Sequence, residues 1–504
     1  MRRRTPVIVG VGEVSERLDG PGYRRRSPVD LAADAAREAL VDTGLPAGIL
    51  AAVIDTVAGV PQFEISIPGA TAPLGRSGNY PRSVAARIGA RPRRAILAAP
   101  GGQGPQQLVN ELAATIAAGD AEVVLLFGGE AMSTAARYAG AEDRPDWTEH
   151  ADGDLEERGS DLRGVRTPHL TAHGMVGAPV QYAMIDNARR ARLGLSRAEY
   201  AAEIGRLFAP FTRVAAAHPH AAAPVERTAA ELTVPTAANR PIADPYTRYV
   251  VAREKVNQGA AVLLMSAHAA GRFGIPPARQ VLLAGHADLR ERELLERADL
   301  STSPAAAMAV RHALEMAGAG IGDLATLDLY SCFPAPVFAI ADAFGLSPDD
   351  PRGLTVTGGL PFFGGPGNNY SMHAIAETVR RARRAPGSFG LVGANGGVMS
   401  AYSAGVYTTI QRDWVPDGSG KLQSEVDSWP APGHAVEASG AATVQTYTVK
   451  HDRDGTRTGI VIGRLTADGR RFVANADPDV LSTGEPIGAP VRVRSEGGVN
   501  RLEW

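Results

Sequence analysis

Two stretches of the sequence, GGQGPQQLVNELAATIAAGD (residues 101–120) and GGPGNNYSMHAIAETVRRAR (residues 364–383), share an opening GGxG pattern followed by a helical pattern. Each predicts a helix that begins at a glycine-rich turn. A helix start is a place where a reactive side chain often lies, so the glycines are unexpected there. Because the pattern occurs once in each half of the chain, we compared what surrounds the two copies.

The surroundings of the two stretches repeat the same order of strands and helices. In the first half we predict one helix at 27–44, which is capped by Ser27 and Pro28 and stopped by Gly44. The predicted strands are VIVGVGEV (7–14) before this helix, VIDTVAGV (53–60) and ILAAP (96–100) after it, and AEVVLLFGG (121–129) after the first stretch. The order returns as RQVLLAGHAD (279–288), a Ser-Pro-capped helix at 303–318, TLDLYSCF (326–333), GLTVTGG (353–359) and, after the second stretch, SFGLVGANGG (388–397). This repetition indicates an internal duplication and a parallel-rich α/β architecture made of two related halves.

The rest of the chain falls outside the duplication. Residues 130–245 carry mixed short helices and polar loops, and a segment of this length predicts a lid or loop domain over a site. After residue 410 linker-like stretches precede hairpin strands with Asp-Gly turns, which predict a small, mainly β domain. We therefore expect a first half at 1–129 and about 246–278, a loop domain at 130–245, a second half at 279–410 and an additional β domain at 411–504.

Composition narrows the classes of ligand and location. The chain has 504 residues, 44% hydrophobic and 21% charged, with a net charge of -2 and no basic block. Nothing here favours nucleic acid or an anionic membrane as partner, so a small molecule is the expected ligand. No stretch approaches the roughly 20 apolar residues of a membrane span, and the first residues lack the long apolar run of a secretory signal. We expect a cytoplasmic protein.

Cysteine and histidine usage leaves little room for a metal site. Cys332 is the single cysteine, which excludes an internal disulfide and a cysteine-cluster metal site. The 11 histidines include no HExxH spacing. We expect neither a metal nor another required cofactor.

The sequence resembles the thiolase superfamily over roughly residues 5–410. The resemblance is carried by IAAGDAEVVLLFGGEAMS (116–133), by VNQGAAVLLMSAHAA (256–270) and by TGGLPFFGGPG (357–367), which stands where thiolases have GGAxAxGHPxG. The β domain after residue 410 further resembles the addition found in thiolase-like proteins of mycobacterial type. The resemblance implies a duplicated five-layered αβαβα core, an inserted loop domain and an OB-like C-terminal domain, with CoA or an acyl-CoA as ligand and a role in lipid metabolism.

The resemblance also implies four reactive positions, and none of them holds the thiolase side chain. The nucleophilic Cys position falls on Gly102, and the His of the GHP motif falls on Gly365, with Pro366 retained. The Cys of the CxG motif falls on Leu391, with Gly393 retained. YSCF stands at the NEAF motif, so that Tyr330 and Ser331 replace its Asn and Glu.

Backbone groups could still serve at these positions. The thiolase oxyanion hole uses the N–H groups at the positions of Gly102 and Gly393, so thioester binding could survive the loss of the thiol. The alternative is that GGxG is only a tight turn before a helix. Further substrate-binding candidates are Gln103, Ser331, Gly365, Asn368, Asn369 and Asn395, although Asn at a helix start is also a common cap.

Four side chains are candidates for chemistry. Tyr330 and Tyr370 could act as acid/base groups, as tyrosines do in superfamily members that cleave carbon-carbon bonds, but a buried tyrosine with a bonded hydroxyl is the commoner case. Cys332 could be a relocated nucleophile, although a small packing residue is the favoured interpretation. His373 could be a base, but its place within the second helix favours a helix-face residue.

Three functions remain open at this stage. The leading hypothesis is a thiolase-like protein that binds CoA or acyl-CoA without ordinary thiolase catalysis. The second is an acyl-CoA-processing enzyme of altered chemistry, retro-aldol or acyl transfer, that uses Tyr330 or Tyr370. The third is an interaction module that acts through the C-terminal domain. The acyl group, and whether the protein is a homodimer or a monomer, are undecided.

Overall fold

A computed structural model describes residues 4–66, 70–159 and 166–504. The first half has the predicted alternation of strands and helices: β1 (Pro6–Ser15), α1 (Pro28–Asp42), α2 (Ala47–Ala51), β2 (Thr56–Gly59), α3 (Tyr80–Arg87), β3 (Arg94–Leu97), α4 (Gly104–Ala118) and β4 (Val123–Ala131). Ser27 caps α1 as predicted, because its hydroxyl accepts a hydrogen bond from Asp30 N–H while the Asp30 carboxylate accepts one from Ser27 N–H.

The segment between the halves is more helical than the sequence suggested. It contains α5 (Met132–Tyr138), β5 (Glu156–Glu157), α6 (Pro168–Ala172), α7 (Ala178–Arg192), α8 (Arg197–Ala217), α9 (Ala229–Thr233), β6 (Pro241–Ala243) and β7 (Tyr246–Thr247). We predicted short helices here, whereas α7 has 15 residues and α8 has 21. In α8 a Ser196 capping box and an apolar face that includes Tyr200, Ile204 and Phe208 sustain the helix past Pro210.

The second half repeats the first with two differences. Strand β8 (Asn257–Ser266) and helix α10 (Ala267–Arg272) complete the first half, and the second half consists of β9 (Val281–Arg290), α11 (Pro304–Ala317), β10 (Leu324–Leu329), α12 (Pro334–Phe344), α13 (Tyr370–Arg384), β11 (Phe389–Gly396) and β12 (Ala401–Thr408). Residues 353–359 form no strand, although one backbone hydrogen bond joins Leu329 to Leu354. The Ser303 hydroxyl does not cap α11 as predicted, and the carboxylate of Glu291 accepts from Ala305 N–H instead.

The central sheet is mixed rather than parallel-rich. Its ten strands run in the order β10-β11-β12-β9-β1-β8-β4-β2-β3-β5. The pairs at the two ends of the sheet are parallel, whereas the five pairs from β11 to β4 are antiparallel. The prediction did not include β12, which follows β11 through a short connection, or β8, which returns after the loop region, and both strands are antiparallel to their neighbours.

Helices separate the sheet halves into layers, as the five-layered core requires. Helix α1 covers β1, β4 and β8, and α11 covers β9 and β12 on the corresponding outer face. Helices α4 and α13 lie between the halves and contact strands of both. The two outer contacts are equivalent: a side chain at Gly10 or Gly285 would overlap the carbonyl of Ala39 or Ala313. The duplication therefore extends to a glycine that lets each outer helix approach its strand.

The C-terminal domain is a closed five-stranded barrel, as the OB-like expectation required. The chain after β12 forms α14 (Ser419–Ser428), β13 (Gly440–His451), β14 (Arg457–Leu465), β15 (Arg471–Ala476), α15 (Pro478–Thr483), β16 (Pro490–Glu496) and β17 (Val499–Glu503). The strand order is β14-β15-β17-β16-β13, and β13 also pairs with β14, which closes the barrel.

Two elements link the barrel to the rest of the chain. Strands β6 and β7 of the loop region extend the sheet beside β13. The stretch that we predicted as linker contains α14, which packs on β9 and joins it through Gln423, whose Oε1 accepts from Arg290 N–H at 2.7 Å. Leu422 and Val426, four residues apart, give α14 its apolar face. Throughout the described ranges we find no helix with the length and apolar character needed to cross a membrane.

Candidate ligand site at the two glycine turns

The glycine turns before α4 and α13 lie against each other. We call residues 101–103 the first glycine turn and residues 364–369 the second. Asn368 joins them, because its Oδ1 accepts from Gly101 N–H at 3.0 Å. A second hydrogen bond links the first turn to the start of α13, where the Ser371 hydroxyl donates to the Gly102 carbonyl at 2.6 Å. The structure therefore brings together the two helix starts that the sequence repeat singled out.

The glycines have a conformational reason as well as a possible chemical one. Gly101 has φ of 150° and Gly364 has φ of 127°, values that L side chains rarely adopt. Asn368 is fully engaged, since its Nδ2 donates to Pro61 O at 2.9 Å and to Ser66 Oγ at 2.8 Å. The tight-turn interpretation of GGxG is thus supported at the first glycine of each copy, and Asn368 acts as a brace between the turns.

Tyr330 fills the space beside Gly102. A Cβ atom at position 102 would overlap the Tyr330 hydroxyl and would lie 2.5 Å from both Tyr330 Cζ and Asn395 O. Real Cβ atoms essentially never approach other heavy atoms more closely than 3.0 Å. With Tyr330 in this position, position 102 has room for glycine alone.

The Tyr330 side chain is buried, and its hydroxyl has no partner among the residues that the structure describes. Its ring packs edge-on against Tyr370, with centroids 5.5 Å apart. Within the described ranges no group hydrogen-bonds the Tyr330 hydroxyl, and burial raises its pKa well above the ordinary value. At neutral pH Tyr330 is therefore a phenol that can donate a proton or a hydrogen bond to a ligand at the first glycine turn.

Tyr370 lies at the start of α13 but is locked into a buried network. Its hydroxyl is 2.6 Å from Thr357 Oγ1 and donates to Asp328 Oδ1 at 3.1 Å. Asp328 Oδ2 also accepts from Thr355 Oγ1 and Val356 N–H, each at 2.9 Å. Burial raises the pKa of Asp328 to about 6. The Tyr370 hydroxyl is thus occupied, in contrast to that of Tyr330.

Cys332 has the environment of a packing residue. Burial raises the pKa of its thiol to about 12, so the nucleophilic thiolate is disfavoured at neutral pH. Asn395 Nδ2 lies 3.9 Å from the sulfur and donates to the Tyr182 hydroxyl at 2.7 Å. Tyr182 in turn donates to Gly397 O at 2.9 Å. The sequence analysis missed Tyr182, which reaches this cluster from α7, because nothing local distinguishes it from other helical tyrosines.

His373 faces away from the glycine turns. It is fully buried on α13, with Nδ1 2.6 Å from Glu13 Oε1 on β1, and Arg380 contacts the other carboxylate oxygen of Glu13. The Glu13 carboxylate is shielded from solvent, and this burial alone would raise its pKa. The neighbouring His373 and Arg380 outweigh that effect and lower the pKa of Glu13 below its usual range. The helix-face interpretation of His373 agrees with this position.

The match to the CxG motif needs a correction along β11. Leu391 is fully buried in the strand, and a side chain at Gly393 would overlap the Tyr402 hydroxyl. The residues that meet the first glycine turn are Asn395 and Gly396, where a Cβ at Gly396 would lie 2.6 Å from Gln103 Cδ. Leu391, Gly393 and Asn395 lie on the same face of β11, because side chains alternate along a strand. The match to the CxG motif therefore fell on positions two to four residues before Asn395, which meets the first glycine turn.

The other candidates lie at or near the second turn. Gly365 N–H donates to Arg253 O at 2.9 Å, and Ser331 Oγ accepts from Leu360 N–H at 3.3 Å, so both shape the approach to this turn. Asn369 is buried against Gly128, and both atoms of its amide lack a hydrogen-bond partner among the described residues. The same holds for Oε1 of Gln103.

Glu130 is a site residue that the sequence analysis missed. It lies at the end of β4, where Oε1 accepts from Phe63 N–H at 2.8 Å, and a side chain at Gly367 would overlap it. Burial raises the pKa of Glu130 to about 8, and the nearby Glu64 adds to this shift. Its position within the thiolase-like run 116–133 could have indicated it, since a buried acid in an apolar strand is rare.

A cationic cavity of about 380 Å³ adjoins the second glycine turn. Arg17, Arg253 and Lys255 line it, together with Gln258, which a side chain at Gly364 would contact. Arg253 is half-buried and its Nε has no hydrogen-bond partner among the described residues. Burial and the neighbouring Arg248 and Arg227 lower its pKa. An anionic group in this cavity would relieve that charge repulsion.

Comparison with known proteins identifies relatives of the whole chain and of its end. The family model of the additional C-terminal domain of type 1 thiolase-like proteins matches residues 421–498. A monomeric SCP2-thiolase-like protein type 1 from Mycobacterium smegmatis is 48% identical, with 100% of this chain and 99% of that chain covered and a TM-score of 0.86. A comparison with curated protein sequences yields no significant match.

More distant structures share the fold alone. The Ltp2-ChsH2(DUF35) aldolase is 19% identical, with 81% of this chain and 98% of that chain covered and a TM-score of 0.57. An acetyl-CoA acetyltransferase from Syntrophomonas wolfei is 16% identical, with 80% of this chain and 99% of that chain covered and a TM-score of 0.56. Both cover about four fifths of this chain.

Proposed function

Since the chain belongs to the SCP2-thiolase-like proteins of type 1, we propose that it binds CoA or an acyl-CoA thioester at the glycine turns without thiolase acyl transfer. The observation that carries the proposal is the position of Tyr330, which takes the space that a nucleophilic side chain at residue 102 would need. No covalent acyl adduct can form at a glycine. The one thiol of the chain, Cys332, is buried and protonated at neutral pH.

The first glycine turn retains what a thioester carbonyl needs. Within the described ranges neither Gly102 N–H nor Gln103 N–H has a hydrogen-bond partner, as is usual for the first amides of a helix. Such amides bind an oxygen that carries partial negative charge. The Tyr330 hydroxyl adds a third donor beside them. Polarisation of a thioester therefore needs no side chain at residue 102.

The cationic cavity supports the nucleotide part of the ligand. CoA carries several negative charges on its phosphates, and the cavity beside the second turn presents Arg17, Arg253 and Lys255. Glu16 and Asp19 also line this cavity. Glu16 is paired with Arg26, which leaves the three cations against the single carboxylate of Asp19. The volume of about 380 Å³ lies within the range of small-molecule sites.

Isothermal titration with CoA and acetyl-CoA tests the binding half of the proposal. We expect saturable binding by the full chain, at least ten-fold weaker in Arg253→Gln than in the wild type. Arg272→Gln, a surface change at the far end of β8, is the matched control and should bind like the wild type. Absence of saturation at millimolar CoA would remove this half, and measurable thiolysis of acetoacetyl-CoA would remove the other.

A second function is favoured by one observation, the unpartnered hydroxyl of Tyr330. In a retro-aldol cleavage of a β-hydroxyacyl-CoA, the bond between C2 and C3 breaks, the hydroxyl proton is lost and the thioester enolate takes up a proton. Tyr330 is placed to donate that last proton. Wild-type protein should then release an aldehyde or ketone from such substrates, and Tyr330→Phe should not. Equal release by both proteins would exclude Tyr330 from this role.

A further inference from the structure

A second ligand-sized cavity lies away from the glycine turns, between the end of α8 and the second half of α13. Its volume is about 420 Å³. The polar residues that line it are His218, His220, Glu377, Arg380, Arg381 and Arg384. Arg380 and Arg384 follow Tyr370 by ten and fourteen residues on the same helix, which corresponds to roughly 15–21 Å along its axis. His220 lines both this cavity and the cationic cavity beside the second glycine turn, so the two adjoin, but none of the three arginines lines the other cavity.

Positive charge exceeds negative charge at this cavity. The three arginines project from α13, and Glu377 on the same helix is the only carboxylate among the described lining residues. Glu377 is shared, since its Oε1 accepts from Arg381 Nε at 3.0 Å and from Arg384 at 2.9 Å. Arg380 lies 3.8 Å from the other oxygen of Glu377 and also contacts Glu13, which lies fully buried behind the cavity wall. Counting Glu13 with the lining residues, three cations face two anions.

The buried Glu13 contact fixes one wall of the cavity. Glu13 holds His373 at 2.6 Å through one oxygen and Arg380 through the other. The Arg380 side chain is 30% exposed, so one part of it is anchored in the interior while the rest reaches the cavity. A guanidinium that is already oriented loses less conformational entropy when it binds an anion.

The two histidines supply neutral polar groups. Burial lowers the pKa of His218 and lowers that of His220 to about 4, so both rings are uncharged at neutral pH. His220 Nδ1 lies 3.1 Å from Ser15 Oγ, and His218 Nδ1 accepts from His220 N–H at 3.3 Å. A neutral imidazole with one nitrogen occupied can offer the other to a ligand as donor or acceptor.

A metal ion fits this cavity less well than an anion. Glu13, His218 and Glu377 have possible ligand atoms within 4.8 Å of one another. However, both oxygens of Glu13 are engaged by His373 and Arg380, and Glu377 is engaged by Arg381 and Arg384. A cation would have to displace these partners and would meet the three guanidiniums. The charge balance therefore favours an anion.

We infer that this cavity binds a small phosphate-bearing molecule, held by Arg380, Arg381 and Arg384 with His218 and His220 as further hydrogen-bonding groups. Guanidinium forks match phosphate oxygens in geometry as well as charge. The cavity is larger than a phosphate group alone needs, so the ligand has an organic part. The inference does not depend on CoA binding at the glycine turns.

Isothermal titration with inorganic pyrophosphate tests the inference on the full chain in low-salt chloride buffer. The cavity variant is Arg381→Gln/Arg384→Gln, since these side chains are 34% and 63% exposed and tolerate substitution. The matched control is Arg206→Gln/Arg272→Gln, which removes the same charge from helix surfaces outside the cavity. Thermal unfolding checks that each variant is folded, and Arg384→Gln alone replaces the double variant if that one is not.

We expect saturable pyrophosphate binding by the wild type and the control, and at least ten-fold weaker binding by the cavity variant. Equal affinity in all three proteins, or no saturation at about 10 mM pyrophosphate, would overturn the inference. Zinc binding that is lost when His218 is substituted, and that prevents pyrophosphate binding, would also overturn the inference. A repeat with saturating CoA distinguishes two sources: persistent pyrophosphate binding assigns the cavity to a separate phosphate compound, and competition assigns it to a phosphate of CoA. Both results support phosphate recognition.

Discussion

The hydroxyl of Tyr330 lies in the space into which any side chain at Gly102 would extend. Tyr330 follows β10, and Gly102 precedes α4, so the contact joins the two halves of the duplicated core. The absence of a nucleophile and the presence of this tyrosine are therefore one coupled feature rather than two independent changes. A thiol cannot be restored at residue 102 without moving Tyr330, and that coupling can be measured.

Gly102→Cys should neither restore thiolysis nor be tolerated without cost. We expect a loss of about 1–3 kcal/mol in the free energy of unfolding, the usual range for overpacking a tight site. The loss should be smaller in a Tyr330→Ala background, because the ring is then gone, although Asn395 O remains close. Urea unfolding of the four proteins of this double-mutant cycle measures the coupling. Additive losses would show that the two positions do not compete for space.

Two tyrosines at the site should respond differently to loss of the hydroxyl. Tyr370→Phe removes bonds to Thr357 and Asp328 and should cost about 1–3 kcal/mol of stability. Tyr330→Phe removes a hydroxyl without protein partners and should change stability by less than about 0.5 kcal/mol. Chemical denaturation of both variants checks this. A loss at Tyr330 as large as that at Tyr370 would mean that its hydroxyl is bonded in the protein.

The repeated glycine motif was enough to predict the duplicated core, because it depends on local signals. Strand and helix periodicity, the Ser27 cap and the GGxG turns are all encoded within a few residues. The length of the segment at 130–245 and the hairpin pattern after residue 410 predicted the loop region and the small β domain, and the resemblance to thiolases added the OB-like form of that domain. Asn368 was predicted near the ligand, and the structure shows it joining the two glycine turns.

The parts that could not be predicted depend on contacts between distant residues. Nothing in the sequence places Tyr330 against Gly102 or brings Tyr182 from α7 to Asn395. Along β11 a period of two cannot distinguish Gly393 from Asn395, so the match to the CxG motif was placed too early in the strand. Glu130 was hidden for a similar reason: its burial follows from the packing of Gly367 and Phe63 around it.

We expect the wild-type protein not to dimerise through the edge of β3, because a short strand, β5, covers that edge. Glu156 and Glu157 of β5 pair with Ile96 and Leu97, and Arg158 N–H donates to Leu97 O at 3.1 Å. A covered edge cannot pair with a second chain. Arg158→Pro removes that donor and should cause concentration-dependent association, whereas Arg158→Gln retains it and is the control. Light scattering after gel filtration checks both, and equal association of the two variants would contradict the expectation.

The barrel should behave as part of the core rather than as a detachable module. Its buried Arg471 donates to the backbone carbonyls of Leu295 (3.2 Å), Arg297 and Ala298 (3.0 Å). We expect Arg471→Met to cost about 1–3 kcal/mol, since it leaves these carbonyls unsatisfied. Arg464→Met, at an exposed position of the same barrel, is the control. Urea unfolding compares the two, and equal stability would indicate that the barrel is only tethered.

This packing also affects how a docking role can be tested. Ile460, Ile462 and Val473 of the barrel belong to the same apolar cluster as residues of α7 and α8. Deletion of the chain after residue 410 would therefore expose that cluster and should reduce stability throughout the loop region. Loss of a partner by such a truncation would not demonstrate docking through the barrel, so substitutions on its exposed face, such as Val436→Asp, are the better probe.

Glu130 should make stability fall as pH rises. Burial raises its pKa in the folded protein to about 8, while the unfolded chain keeps the ordinary value of 4.5. Between these two values the unfolded state has lost the proton that the folded state retains, so stability decreases with pH and then levels off above about 8. Glu130→Gln cannot ionise and should remove this decrease, with a relative gain of about 1–3 kcal/mol at pH 9.

Glu64→Gln, which removes only the neighbouring charge, should remove a smaller part of this decrease in stability. Urea unfolding from pH 5 to pH 9 measures all three proteins, and parallel pH profiles for the wild type and Glu130→Gln would show that Glu130 ionises normally in the fold.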